Sequence, residues 1–155
     1  MTDSVVAGEL GIPGLEGTIY FGPGFSSDSD RDALFADLDE KGVTVVWNVQ
    51  DDPASHESEA DHFRAAIFTP IEDDGVPDDH GGFLRDLDRV LALLRAGQRI
   101  YIHSAAGYGR TGLAIASLLT RIGIPAEEAV DQTQQATGGP ETAQQGAFVR
   151  SIPPE

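Results

Sequence analysis

Residues 100–122 read I-Y-I-H-S-A-A-G-Y-G-R-T-G-L-A-I-A-S-L-L-T-R-I. The first four, Ile100 to His103, form a short apolar, β-branched and aromatic run, which predicts a buried strand. Ser104 to Gly109 holds three small residues and two glycines. Such a loop can turn backbone N–H groups inward around an anion. From Thr111 the chain carries Leu113, Ile115, Leu118, Leu119 and Ile122, apolar on nearly every face, which predicts a helix buried within a domain. The start of that helix has orphan N–H groups and the positive end of the helix dipole, both aimed at the loop. Arg110 adds a planar fork of donors that matches two oxygens of one phosphate. The stretch is suited to holding a phosphate-like dianion.

Two other phosphate-binding motifs fit this context less well. Gly107 to Gly112 satisfies G-x-G-x-x-G between a strand and a helix. A dinucleotide fold then needs a second strand ending in an acid about 20 residues on. Asp131 has that spacing, but it lies in P-A-E-E-A-V-D-Q-T-Q-Q, a helical segment starting after Pro125. Only 43 residues follow Gly112 in a chain of 155, too few for the remaining units. A P-loop would require Gly-Lys-Ser/Thr, and no lysine is present there.

Outward from this centre, strands and helices alternate. Thr18 to Phe21 and Val43 to Val49 are strand-like runs, and Arg64 to Phe68 is a further candidate. Residues 30–41 read as a helix stopped by Gly42, and 79–96 as a helix closed by Gly97, with Phe83, Leu84, Leu87, Val90, Leu91 and Leu94 at helical spacing. Residues 51–61 are acidic and broken by Pro53, a loop with a short helix. Between the third strand and the long helix, Pro70-Ile71-Glu72-Asp73-Asp74-Gly75-Val76-Pro77-Asp78 places three consecutive acids between two prolines. Asp78 is expected to cap the helix that follows. The alternation predicts an α/β domain with a central, mainly parallel sheet of about 4–5 strands and helices on both faces. One domain is expected for residues 1–155, with 1–16 as an extended arm.

H-S-A-A-G-Y-G-R-T-G resembles the signature loop of the cysteine-dependent protein tyrosine and dual-specificity phosphatases, His-Cys-x-x-Gly-x-x-Arg-Ser/Thr. His103, Gly107, Arg110 and Thr111 fall in register, and Ser104 stands where that family has its nucleophilic cysteine. The resemblance extends from about Thr18 to Val149. It implies a dual-specificity-type fold and a metal-free phosphomonoester hydrolase acting through a cysteinyl-phosphate. Ala105, Ala106, Gly107, Tyr108, Gly109 and Arg110 would hold the phosphate oxygens, and Thr111 would ease departure of the sulfur. The stretch at Pro70 resembles the family's acid loop, with Asp73 as general acid and Asp74 second; such acids contribute roughly 10²–10⁴-fold. His103 would order the loop by hydrogen bonding. Residues 138–149 resemble the family's last-helix pattern, in which Gln145 would position the hydrolytic water, though Gly139-Pro140 has the reverse order and the preceding arginine is absent.

Ser104 changes the chemistry implied. Loop N–H groups and a helix terminus can lower a cysteine pKa to roughly 3.5–7.5. A serine hydroxyl is a much weaker acid, and no neighbouring residue reads as its base. The chain as written is expected to bind and not turn over. An engineered substrate trap fits the retention of every other loop element; the alternative is a natural pseudophosphatase that acts as a phospholigand-binding module.

Composition narrows the partners. A net charge of −16 argues against nucleic acid and anionic membranes, which need a basic surface. No run reaches the 18 or so apolar residues of a membrane span. There is no cysteine to form a disulfide, and the N-terminal residues lack a signal-peptide pattern. A monomeric, cytoplasmic protein is expected, without cofactor or metal, acting on a phosphorylated protein or a small phosphomonoester. The loop's variable positions carry no lysine, which points away from polyphosphorylated inositols.

Overall fold

The computed structural model describes residues 5–105 and 108–155. Five strands form one sheet in the order β1-β2-β5-β3-β4: β1 (Gly8–Gly11), β2 (Thr18–Pro23), β3 (Val45–Gln50), β4 (Ala65–Ile71) and β5 (Arg99–Ser104). β1 is antiparallel to β2, and the other pairings are parallel. The helices are α1 (Asp28–Glu40), α2 (Pro53–His62), α3 (His80–Arg95), α4 (Gly109–Arg121), α5 (Ala126–Thr137) and α6 (Ala143–Arg150). This is the mainly parallel α/β architecture expected.

Both faces of the sheet are covered, so its strands are apolar at successive positions. Ile19, Phe21, Val45, Trp47, Val49, Ile100 and Ile102 join one core with Leu87, Leu91 and Leu94 of α3 and the apolar residues of α4. The intervening Tyr20, Val46 and Tyr101 face the other way, onto Leu34, Phe35 and Leu38 of α1 and onto Phe63. β5 lies in the middle, with Ile100 opposite Ile19 on one side and Val45 on the other. In an open parallel sheet, ligands sit outside the carboxyl ends of strands where the order reverses. Here that edge is formed by Pro23, Gln50, Ile71 and Ser104, the last residues of four strands.

Four local readings differ. The N-terminal arm contributes β1, too short and too glycine-rich for a strand pattern. The acidic segment after β3 is a ten-residue helix: Pro53 occupies its first turn, where no N–H partner is needed, and Asp52 caps it through the Ala54 N–H. β4 runs past Phe68 through Pro70, which an edge strand tolerates because its outer N–H positions need no partner. The cap of α3 is Asp79, which accepts from the Gly82 N–H at 3.0 Å, and not Asp78.

Twelve of the thirteen α4 residues are buried. Its first turn is wedged against the turn before α6 with no room for side chains. A Cβ on Gly112 would collide with the backbone of Gly139, and one on Gly139 with the Tyr108 carbonyl. Overpacking of a rigid contact costs about 1–3 kcal/mol, so Gly139→Ala should lower the urea unfolding free energy by at least that range. Gly11→Ala, which meets nothing within 4 Å, should stay within about 0.5 kcal/mol of wild type.

Candidate functional site

β5 delivers His103 and Ser104 to the carboxyl edge of the sheet, and α4 starts five residues later. Ala105 and Tyr108 border the loop, while Ala106 and Gly107 lie outside the described residues. Ser104 is 2 % exposed, and its hydroxyl lies 3.3 Å from that of Thr111 in the first turn of α4. Tyr108 precedes the helix without supplying a side-chain cap. Its ring sits edge-on to Phe21. Its N–H donates to Glu141 Oε1 at 2.9 Å, so one N–H expected to face phosphate is held by a carboxylate from the α5–α6 turn.

Arg110 is 5 % exposed. One guanidinium nitrogen, Nη1, donates to the Ile71 carbonyl at the end of β4, 3.0 Å away. The other, Nη2, lies 3.7 Å from Asp73 Oδ1. Asp73 itself is largely solvent-exposed. It sits in a tight turn closed by the Gly75 N–H donating to the Glu72 carbonyl at 2.8 Å. Asp74 occupies the left-handed region of that turn, with φ of 61°. Aspartate tolerates this region better than most residues. The turn separates the two acids: Asp73 faces Arg110, and Asp74 supplies the bend.

Gln145 is completely buried, so it is not a surface residue. Its Oε1 accepts from the N–H groups of Glu141 and Thr142, at 2.9 and 3.2 Å, and its Nε2 donates to the Gly75 carbonyl at 3.1 Å. With Thr142 it forms a capping box at the start of α6. The same amide lies against Gly109. Gln145 thereby ties the Asp73 turn to the start of α4.

Behind the loop His103 enters a buried polar group whose other members, Glu59, Asn48 and Ser55, the sequence did not single out. His103 is fully buried and pairs through Nε2 with Glu59 Oε2. Glu59 Oε1 accepts from Asn48 Nδ2 at 2.9 Å, and the same Nδ2 lies 2.8 Å from Ser55 Oγ. Tyr101 stacks on His103 at 5.7 Å and donates its hydroxyl to the Pro23 carbonyl at 2.6 Å. Burial first, then the nearby Tyr108, Glu59 and Asp37, push its phenol far above the ordinary tyrosine range, so it remains a donor. Glu59 gave no signal in the sequence because Glu57 and Asp61 beside it are chemically alike and exposed.

A cavity of about 310 Å³ between β4 and the start of α3 is separate from these groups: Phe68, Pro77 and Phe83 line it, and Ser104, Arg110 and Thr111 do not.

Residues 24–124 match the family model described as polymorphic toxin system, DSP-PTPase phosphatase. Among solved structures, the fold is similar to kinase associated phosphatase carrying a serine in place of its catalytic cysteine, with a TM-score of 0.74, 19 % identity, and coverage of 85 % of this chain and 83 % of that one. A putative protein tyrosine phosphatase from Leishmania major gives 0.71, 17 % and 88 % of both chains. Tk-PTP in its active form gives 0.71, 21 %, and 90 % and 96 %. No curated protein is significantly similar in sequence.

The Gln145 bridge can be tested directly. Gln145→Leu strips partners from the Gly75 carbonyl and two N–H groups, and a buried unsatisfied group costs about 1–3 kcal/mol. The variant should be less stable by that amount in urea, with faster amide exchange across residues 72–76; unchanged exchange there would remove the bridge from the account.

Proposed function

The chain belongs to the DSP-PTPase phosphatase family of polymorphic toxin systems, and from that premise we propose that it is a phosphomonoesterase scaffold whose nucleophile position is held by Ser104. In this reading the chain captures the phosphate of a phosphorylated protein or a small phosphomonoester and does not cleave it through residue 104. The observation that carries the reading is Arg110: a buried guanidinium anchored to Ile71 and turned toward Asp73, one residue from the Thr111 hydroxyl that meets Ser104. A buried cation is costly unless acceptors and anions surround it, and a bound phosphate would supply them beside the Ile71 carbonyl and Asp73.

With cysteine at position 104, the chemistry follows from the same positions. The thiolate sulfur attacks phosphorus as the ester P–O bond breaks. Asp73 gives its proton to the leaving oxygen and then takes one from the water that cleaves the phosphocysteine. Arg110 and the loop N–H groups hold the equatorial oxygens, where charge builds in the transition state. Thr111 donates a hydrogen bond to the departing sulfur. With Ser104 the attacking group stays protonated, because its hydroxyl has another hydroxyl and no base as its partner among the described residues. The kinase associated phosphatase with the same kind of replacement has a similar fold, which supports a serine at this position being compatible with the architecture. The lack of lysine in the loop and the carboxylates around it, Asp73, Asp74 and Glu141, favour monophosphates on neutral or basic scaffolds over polyphosphorylated ones.

The test is phosphate release from an aryl phosphate and a phosphopeptide panel. Ser104→Cys should turn over where the unaltered chain does not. Adding Asp73→Asn should lower kcat roughly 10²–10⁴-fold, while Asp74→Asn, which keeps the turn, should leave it within a few-fold. Arg110→Ala should abolish vanadate binding in either background. Vanadate affinity that survives Arg110→Ala would sink the loop assignment. No turnover from Ser104→Cys despite intact vanadate binding would favour a phospholigand-binding module.

A further inference from the structure

We propose that the cavity between β4 and the start of α3 selects the substrate, by taking an arginine or lysine side chain of the phosphorylated polypeptide. This rests on the phosphate-binding reading above and narrows it to phosphorylated segments with a basic residue nearby. The cavity, of about 310 Å³, is walled by the two stems of the Asp73 turn: Pro70 on the way in and Pro77 on the way out. Ile71, the residue after Pro70, is the one whose carbonyl anchors Arg110. The cavity therefore sits at the same carboxyl edge of the sheet as Ser104. β4 is two strands from β5, a lateral distance of about 10 Å at ordinary strand spacing. An extended polypeptide crosses that distance in about three residues.

The lining has two characters. Phe68, Phe83 and the two prolines supply apolar surface, and Asp78 and Asp86 supply carboxylates. Arginine and lysine divide in the same way, with a hydrocarbon stem that covers apolar surface and a cationic head. A guanidinium can also lie on the face of an aromatic ring. The Phe68 ring is held by a parallel stack on His56, with centroids 5.0 Å apart. An anionic or wholly apolar occupant would instead desolvate the two carboxylates without pairing them.

Asp86 is half-buried and fixed from behind. Thr69 Oγ1 donates to its Oδ2 at 2.6 Å, and the same hydroxyl accepts from the buried Trp47 Nε1 at 2.8 Å. The sheet thus holds one carboxylate in the cavity wall through a neutral donor. Among the described residues no cation forms an ion pair with Asp86 or Asp78. Neighbouring acids are already engaged: Asp79 caps α3 and lies 3.8 Å from Arg85, and Asp88 pairs with Arg121. The cavity of about 230 Å³ between α1 and α2 differs, because Arg31 in its wall already pairs with Asp28 and the adjacent Asp32. Charge and shape together assign the cationic side chain to the cavity beside the Asp73 turn.

The experiment uses the full chain with Ser104 in place. Alanine-based peptides carrying one phosphotyrosine and one arginine, placed at each position within about four residues on either side, are titrated by calorimetry beside the same peptides with glutamine for arginine. At one or more positions the arginine peptide should bind roughly tenfold tighter than its glutamine counterpart, the scale of one charge-assisted hydrogen bond. The preference should be lost in Asp78→Asn/Asp86→Asn, which keeps an oxygen acceptor for Thr69 and leaves the Asp79 cap in place. It should persist in Glu57→Gln/Asp61→Asn, which removes the same charge from the exposed face of α2. No arginine preference at any position, with orthovanadate still bound by the unaltered chain and lost in Arg110→Ala, overturns this proposal alone. A preference that survives Asp78→Asn/Asp86→Asn, or that Glu57→Gln/Asp61→Asn removes equally, assigns the effect to overall charge and also overturns it. Absence of vanadate binding by the unaltered chain overturns the reading on which the proposal rests.

Discussion

The structure depends on a helix that begins in the interior. α4 is buried along twelve of its thirteen residues, yet its first turn carries N–H groups that no preceding carbonyl can satisfy and no side chain of Tyr108 caps. Those donors and the dipole behind them must be met at the loop that follows β5. The N–H of Tyr108, at the helix's threshold, is taken by Glu141. Arg110 adds a full positive charge at the same place, anchored to the end of a neighbouring strand. The proposed oxyanion site would meet these donors, and Ile71, Asp73 and Glu141 converge on the same helix start.

The second consequence of that placement is coupling between loops far apart in the chain. The Asp73 turn reaches the centre by two routes, through Arg110 and through Gln145. Gln145 is at once part of the capping box of α6, the partner of the Asp73 turn and the neighbour of Gly109. The Gly139–Gly112 contact fixes the spacing on the other side. Geometry at the site is thus carried by close backbone approaches as much as by charged side chains.

What could be read from the sequence follows a physical division. The strand, loop and buried helix at residues 100–122 were legible because their signals are local: a β-branched run, clustered small residues, then apolar residues on every face. The sheet's parallel character followed from strands apolar at successive positions. β1 left no pattern, since a four-residue strand with two glycines has no periodicity. Asp78 and Asp79 are equally good caps on paper, and only the backbone at the first turn selects Asp79. Glu59 is the strongest case. Its burial is set by the β3–β5 register, which brings Asn48 and His103 together from residues far apart in the chain, and no local pattern distinguishes it from Glu57 or Asp61.

The strand order also governs when the site can exist during folding. β5, the central strand, pairs with two strands made much earlier, with Thr18 opposite Arg99 and Val45 opposite Ile100. Until β5 is in place, β2 and β3 each lack their inner neighbour, and the two halves of the sheet are not joined. Contacts of such long sequence separation form slowly, because loop closure must precede the stabilisation they bring. The strand that completes the sheet is the strand that ends in Ser104. The proposed anion site therefore depends on long-range pairing, since the strand that leads into it is the one that joins both halves of the sheet.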